Sequence, residues 1–404
     1  MRATLTACLI VKDEAKVIER ALASVVDVCD RWLIIDTGST DGTQDVIKSF
    51  AAEHDWPGLL VERTWRDFGH NRNELLELAD SLPAGERTDW VLYMDADQEV
   101  VAAQCLYDEI SAAEPNVPGL LVHTIGQPSY WTPRLVRTGV GRWRGRTHEV
   151  LCLPTIGGSH TVAAQPRSLA TITHHSDGGA RTGRLERDEA FLRADLDDAL
   201  STASPAPESG IDPVTGAVDA RPDEIRTRYY LGATLASLAQ QNPGDTVAAR
   251  FAEAREHLAI VAEQTVSDEL AYVALTLTAW THLQQGDTAT ATDAYLTAAK
   301  RRLGRYEAAF EAVRLLRRDG QEVRAAVVGD RFLHRPHRLY DTFEVYPNAY
   351  PALALEVAGA ALTVGDAITA TAAMRLVNPR HLDAPLAAIW QTRSEGLSAL
   401  LQPA

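Results

Sequence analysis

Hydrophobic positions along the chain fall into two regimes. Up to about residue 175, short apolar runs alternate with segments of helical period; beyond residue 223 the helical period stands alone. Residues 4–11 read as an apolar strand, and Asp13 to Val28 carry a helical period through Val17, Leu22, Val25 and Val26. Strand 32–36, a helix from Thr43 to Ala52, strand 59–62, a helix from Asn71 to Ala79 and strand 90–94 follow. Strands alternating with helices at this spacing predict a mainly parallel, Rossmann-like α/β domain. Short apolar runs at 119–122, 150–153 and 171–174 extend it. Arg184 to Leu200 reads as an amphipathic helix with Leu185, Phe191, Leu192, Leu196 and Leu200 on its buried stripe.

Residues 201–222 are rich in Pro, Gly, Ser and Ala and predict a flexible connection. The expected organisation is therefore an α/β domain over 1–200, a connection over 201–222 and an all-α domain over 223–404. In the last, helices with small residues on one face open at Tyr229, Ala271 and Tyr306, and turns fall at 242–245, 285–287, 318–320 and 364–366. Gly286 to Gly320 is 34 residues, the tetratricopeptide period, while the neighbouring spacings are 42 and 45. Degenerate tetratricopeptide-like repeats are expected, with an irregular helical bundle as the alternative.

Composition leaves this picture in place. With 46% hydrophobic and 23% charged residues the chain is ordinary globular protein, and 404 residues suffice for two cores. A net charge of −16 argues against nucleic acid as a partner. No apolar run reaches the length of a transmembrane span. Ala3 to Val11 has the apolar character of a short signal core, but Lys12-Asp13-Glu14-Ala15-Lys16 follows without a cleavage pattern, so the run is read as the first strand. Cys8, Cys29, Cys105 and Cys152 show no paired spacing and are read as reduced. A cytoplasmic protein, with a homodimer possible, is the expectation.

Two strand ends carry the candidate chemistry. Strand 32–36 breaks at Asp36 into Thr37-Gly38-Ser39-Thr40-Asp41-Gly42-Thr43, and strand 90–94 ends in Asp95-Ala96-Asp97. Alternate residues of an extended segment project to one side, so Asp95 and Asp97 can both reach one cation. Carboxylates are the ligands that Mg²⁺ and Mn²⁺ prefer, usually together with substrate phosphates. The competing explanation is that Asp95 and Asp97 cap a helix beginning near Gln98-Glu99. Likewise the 38–42 turn can be simple helix capping. Asp36, however, ends an apolar strand, where a carboxylate needs a partner, and a ribose hydroxyl or base N–H suits it. Arg134, Arg137, Arg142, Arg144 and Arg146 are either a patch beside a diphosphate or a solvated basic loop.

Asp36 to Thr43 with Asp95-Ala96-Asp97 resembles the nucleotide-sugar domain of family 2 glycosyltransferases, which have the GT-A fold. Leu9-Ile10-Val11-Lys12-Asp13-Glu14 and Arg146-Thr147-His148-Glu149 are similar to the branch holding lipopolysaccharide-core glucosyltransferases and glycocin peptide S-glycosyltransferases. The resemblance covers roughly residues 4–200 and departs at Thr37, where many family members carry a second acidic residue. It implies a hexosyltransferase whose nucleotide-sugar site is drawn from Val11, Glu14, Asp36, Thr37, Ser39, Arg72, Asp95, Ala96 and Asp97. Arg72 enters because Phe68-Gly69-His70-Asn71-Arg72-Asn73 resembles the segment opening a helix beside the nucleotide.

The resemblance further implies Mn²⁺ or Mg²⁺ held directly by Asp97, with Asp95 on the ribose or a metal-bound water. His174 is the extra ligand, with His175 as its alternative. Glu149 is implied as the general base of an inverting transfer; otherwise it is an exposed ion pair with Arg146. A peptide or protein acceptor on the helical repeats is the leading expectation. The alternatives are a saccharide or lipid-linked acceptor with repeats used for dimerisation, and a non-catalytic repeat scaffold. Sugar, base and acceptor atom are left open.

Overall fold

The computed structural model describes residues 2–125, 130–154, 167–178, 183–201, 222–244, 246–334 and 348–402. The predicted connection 201–222 lies, except for its two ends, outside them. The chain divides into two compact units, Met1–Tyr230 and Leu231–Ala404.

In the first unit β1 (Leu5–Val11), β2 (Arg31–Asp36), β3 (Gly58–Glu62) and β4 (Trp90–Tyr93) alternate with α1 (Ile18–Ala23), α2 (Thr43–Glu53) and α3 (Phe68–Ser81). Then come β5 (Gln98–Val101), α4 (Leu106–Ala112), β6 (Gly119–Ile125), β7 (Tyr130–Arg137), β8 (Arg142–Arg144), β9 (Val150–Cys152), β10 (Arg167–His174) and α5 (Arg184–Ser201). The unit closes with the first half of α6 (Pro222–Gln241). Eight strands form one sheet in the order β3-β2-β1-β4-β7-β6-β10-β5, while β8 and β9 pair separately.

Strand β1 is parallel to both β2 and β4, and β2 is parallel to β3. Central parallel strands are covered on both faces, which demands a nearly continuous apolar run; six of the seven β1 residues are buried. The chain leaves β1 for β2 and β3 on one side and returns to β4 on the other. That reversal makes the C-terminal ends of β1 and β4 the crevice where an open α/β sheet takes its ligand. Beyond β4 the sheet turns antiparallel through β7, completing the mainly parallel α/β domain that was expected.

Three local expectations change. The predicted helix from Asp13 to Val28 is α-helical only over Ile18–Ala23. Asp13 adopts a left-handed φ of 55°, and the N–H groups of Asp13, Glu14 and Ala15 donate to Ser39, Thr43 and Asp41 side chains. No helix starts at Gln98-Glu99 for Asp95 and Asp97 to cap: Gln98–Val101 is a strand, antiparallel to β10. The basic stretch from Arg134 is not a loop throughout, because Arg134 and Arg137 lie in β7 and Arg142 and Arg144 in β8.

The second unit holds the rest of α6, then α7 (Val247–Gln264), α8 (Asp268–Gln284), α9 (Thr288–Arg301), α10 (Glu307–Arg318), α11 (Glu322–Leu333), α12 (Ala349–Thr363), α13 (Ala367–Arg375) and α14 (Ala384–Leu400). From α7 to α14 each helix packs on the next, and α10 also packs on α12 and α12 on α14, as in stacked hairpins. Buried alanines such as Ala274, Ala298, Ala309, Ala312 and Ala358 let the helices approach closely. No helix of the described residues is long and apolar enough to cross a membrane.

Gly329 on α11 shows how tight this packing is: a Cβ placed there would sit 2.3 Å from Val357 Cγ2 and 3.1 Å from Val313 Cγ2. Both neighbours are β-branched and stiff. Gly329→Ala is expected to cost about 1–3 kcal/mol of stability through overpacking, read as a lower denaturant midpoint of the full chain.

Candidate active site

The loops leaving β1 and β2 are tied together at the crevice. Thr37 donates from its backbone N (2.9 Å) and its Oγ1 (3.0 Å) to the Val11 carbonyl. Ser39 Oγ accepts from the Asp13 N–H at 2.9 Å, and Asp13 Oδ1 accepts from the Thr40 N–H at 2.7 Å. Gly38 and Gly42 take positive φ values of 103° and 94°, which glycine alone adopts without strain. Thr37 and Ser39 therefore act as loop clamps, and the Val11 side chain lies in the core. Asp36 is fully buried. Its Oδ1 accepts from Gly38 and Ser39 N–H, both at 2.8 Å, while Oδ2 has no hydrogen bond among the described residues. A buried carboxylate oxygen without a donor is costly.

Strand β4 ends at Tyr93, and residues 95–98 form a turn closed by the Gln98 N–H on the Asp95 carbonyl at 3.1 Å. Asp95 and Asp97 consequently do not share a direction by strand alternation. Asp95 Oδ1 accepts from Arg72 Nη2 at 2.6 Å and Oδ2 from Gln98 Nε2 at 2.8 Å, with Arg134 Nη1 3.6 Å away. Burial alone would raise the Asp95 pKa, but the Arg72 and Arg134 guanidiniums override it and hold the carboxyl well below the usual range. Asp97 Oδ2 lies 3.3 Å from His174 Nε2, and this hydrogen bond raises the imidazole pKa. His175 instead faces Glu99 at 2.9 Å. Gly178 packs against Glu14 and Asp97: its Cβ would lie 2.5 Å from Glu14 Oε2 and 2.9 Å from Asp97 Cβ. The Ala96 side chain belongs to the core.

Glu149 does not pair with Arg146, which instead binds Asp195 and Asp198 on α5. Its Oε1 accepts from Arg72 Nε at 2.7 Å. Arg72, 4% exposed, thus joins Asp95 to Glu149 through one guanidinium, which also lies 5.0 Å from the Trp143 ring. Asn73 holds Trp143 through both its backbone N–H and its carbonyl, each at 2.9 Å. The remaining predicted basic patch does not converge: Arg137 donates to the carbonyls of Val117, Ala113 and Glu114. Arg144 pairs with Asp223.

Among the described residues, no three His, Cys, Asp or Glu side chains form a ready-made metal cage. Asp97 faces His174, while Asp95 is held by Arg72 and Gln98. Sequence reasoning missed Gln98 and the placement of Arg134. Gln98 carries no local signal, since it opens β5 directly after Asp97, whereas Arg134 is a polar residue within β7.

Residues 6–168 match the sequence model of Glycosyl transferase family 2. The first unit carries a glycosyl transferase family 2 domain. Its parallel sheet, continued by antiparallel strands, is the GT-A arrangement. The chain is 34% identical over 96 residues to the SPbeta prophage-derived glycosyltransferase SunS of Bacillus subtilis, covering 23% of this chain and 20% of that one. It is 28% identical over 153 residues to the lipopolysaccharide core biosynthesis glycosyltransferase LpsC of Rhizobium meliloti, covering 34% and 53%. A TPR repeat-containing protein of Synechococcus elongatus is 35% identical over 100 residues, covering 24% and 22%. The chain thus spans about half or less of each of these relatives. S. aureus TarS is 12% identical, with a TM-score of 0.34, over 75% of this chain and 56% of that one.

Removing Arg72 from the family 2 domain would strand two carboxylates. Arg72→Met is expected to destabilise the chain by about 3–5 kcal/mol at neutral pH. The deficit should narrow on acidification. Asp95's lowered pKa contributes stability that is present above its unfolded value of about 3.9 and lost as pH falls below it. Chemical denaturation of both proteins at pH 7 and at roughly pH 2.5, below that unfolded value, checks this; an equal gap at both would contradict the ion-pair assignment.

Proposed function

We propose that the chain is an inverting glycosyltransferase that moves a hexose from a nucleotide diphosphate sugar to a peptide or protein acceptor. The observation that carries it is the Asp95–Arg72–Glu149 bridge at the strand-end crevice of a family 2 domain. It ties a carboxylate on the nucleotide side to one suited to proton transfer. Asp36, with its undonated Oδ2, receives a ribose hydroxyl or base N–H. Glu14 and Asp97 lie on either side of Gly178 at the same edge.

Asp97 and His174 would hold a hard divalent cation such as Mn²⁺ or Mg²⁺. Such an ion, when bound, neutralises charge on the leaving diphosphate. Glu149, with one oxygen held by Arg72, uses the other to take the proton of the acceptor nucleophile. That nucleophile attacks the anomeric carbon from the face opposite the diphosphate. The hairpin stack presents the extended surface that a peptide acceptor needs.

Thermal shift with UDP, GDP, TDP and CDP, each with and without Mn²⁺, identifies base and metal together, because a ligand of the native state raises apparent stability. One nucleotide is expected to stabilise the chain only with the metal, and Asp97→Asn is expected to erase that dependence. Glu149→Gln should bind the same nucleotide normally and lose about 10²–10⁴-fold in turnover. A loss below tenfold would remove Glu149 from the base role. Transfer to glycan but not to peptide in an acceptor screen would replace the acceptor assignment.

A further inference from the structure

We infer that Arg226 and Tyr230 on α6 are positioning residues for Glu149, acting through His148. The inference rests on Glu149 being the base, as proposed above. His148 has a left-handed φ of 48°, a conformation that persists in a non-glycine residue only where its surroundings impose it. The imposing groups come from α6. The His148 ring stacks on Tyr230 with centroids 4.2 Å apart and planes 10° from parallel. Arg226 Nη2 donates to the His148 carbonyl, and its guanidinium lies 4.9 Å from the Tyr230 ring.

Asp223, which pairs with Arg144, sits one turn before Arg226, and Tyr230 sits one turn after it, so one face of α6 grips the segment 144–148. Helix α5 holds the residues between: Asp195 accepts from the Arg146 N–H at 2.9 Å, and Asp188 accepts from Thr147 Oγ1 at 3.1 Å. Glu149 is the next residue, and its Cα position follows directly from the His148 dihedrals. Relaxing His148 to negative φ would swing the carboxylate away from Arg72. Every α6 group involved lies outside the 6–168 span of the family match. The base is thus set by a helix that the family domain does not include.

The test uses the full chain and Mn²⁺, with hydrolysis of whichever of UDP-glucose, UDP-N-acetylglucosamine, GDP-mannose or TDP-glucose the wild type turns over fastest. Tyr230→Ala is expected to lower kcat about 10–100-fold, the size of effect that a misplaced catalytic group produces, with KM within twofold. Tyr230→Phe retains the ring and should keep wild-type kcat. Arg226→Met, which removes the hydrogen bond but keeps the stem, serves as the second variant and should fall in the same direction. In a Glu149→Gln background Tyr230→Ala should cause no further loss, because coupled residues are non-additive. Hydrogen exchange over residues 144–150 should rise in Tyr230→Ala and not in Tyr230→Phe. Unchanged kcat in Tyr230→Ala, equal damage in Tyr230→Phe, or an undiminished loss in the Glu149→Gln background would overturn the clamp alone. Absence of turnover of all four sugar nucleotides by the wild type would overturn the transferase assignment beneath it.

Discussion

One buried guanidinium organises the crevice. Arg72 is brought in by α3, Asp95 by the turn after β4 and Glu149 by the approach to β9, so three separate elements meet at a single cation. A charge this deeply buried is tolerated only when it is paired. Two carboxylates supply the pairing, and the Trp143 ring lies beside the guanidinium at 5.0 Å. Arg72 Nη1 is left buried without a hydrogen bond among the described residues. The geometry of the acids is thus a consequence of satisfying one arginine.

Around that bridge, polar side chains do the work that regular secondary structure would otherwise do. The loops after β1 and β2 are joined by the side chains of Asp13, Thr37, Ser39, Asp41 and Thr43. On the other side, α3, α5 and α6 hold the segment leading to Glu149. Asn73 fixes Trp143, Phe68 N–H reaches the Arg146 carbonyl at 3.0 Å, and Asp188 and Asp195 take Thr147 and Arg146. Gly69 carries no Cβ because one would lie 2.3 Å from the Gly145 carbonyl oxygen. A short irregular segment thereby becomes as well determined as a strand.

The helical unit relies on a different device. Its core is rich in alanine, with buried polar anchors among the described residues. Tyr272 donates to Glu307 and accepts from the Ala308 N–H, both at 3.0 Å, with the Arg305 guanidinium 4.7 Å from its ring. Small residues bring helix axes close, and the resulting hairpin stack buries a continuous core that no single hairpin encloses.

Much of this was legible along the chain. The near-continuous apolar run of β1, the strand-ending Asp36 and Asp95-Ala96-Asp97 announced a parallel sheet with carboxylates at its edge, since hydrophobic period is a local property. The switch to small-residue helices announced the second unit for the same reason. Strands β5 and β7 were not legible, because their residues alternate too weakly; β5 pairs with the distant β10, and β7 joins the distant β4 as well as its neighbour β6. Nor was the turn that parts Asp95 from Asp97, which depends on Arg72 and Gln98 drawing one carboxylate and His174 the other. The partner of Glu149 lies 77 residues away, and the residues flanking it are gripped by helices further still. Residue type and spacing determined which acids and bases this protein has; which of them meet was decided by long-range pairing of buried charge, a property that only the folded chain possesses.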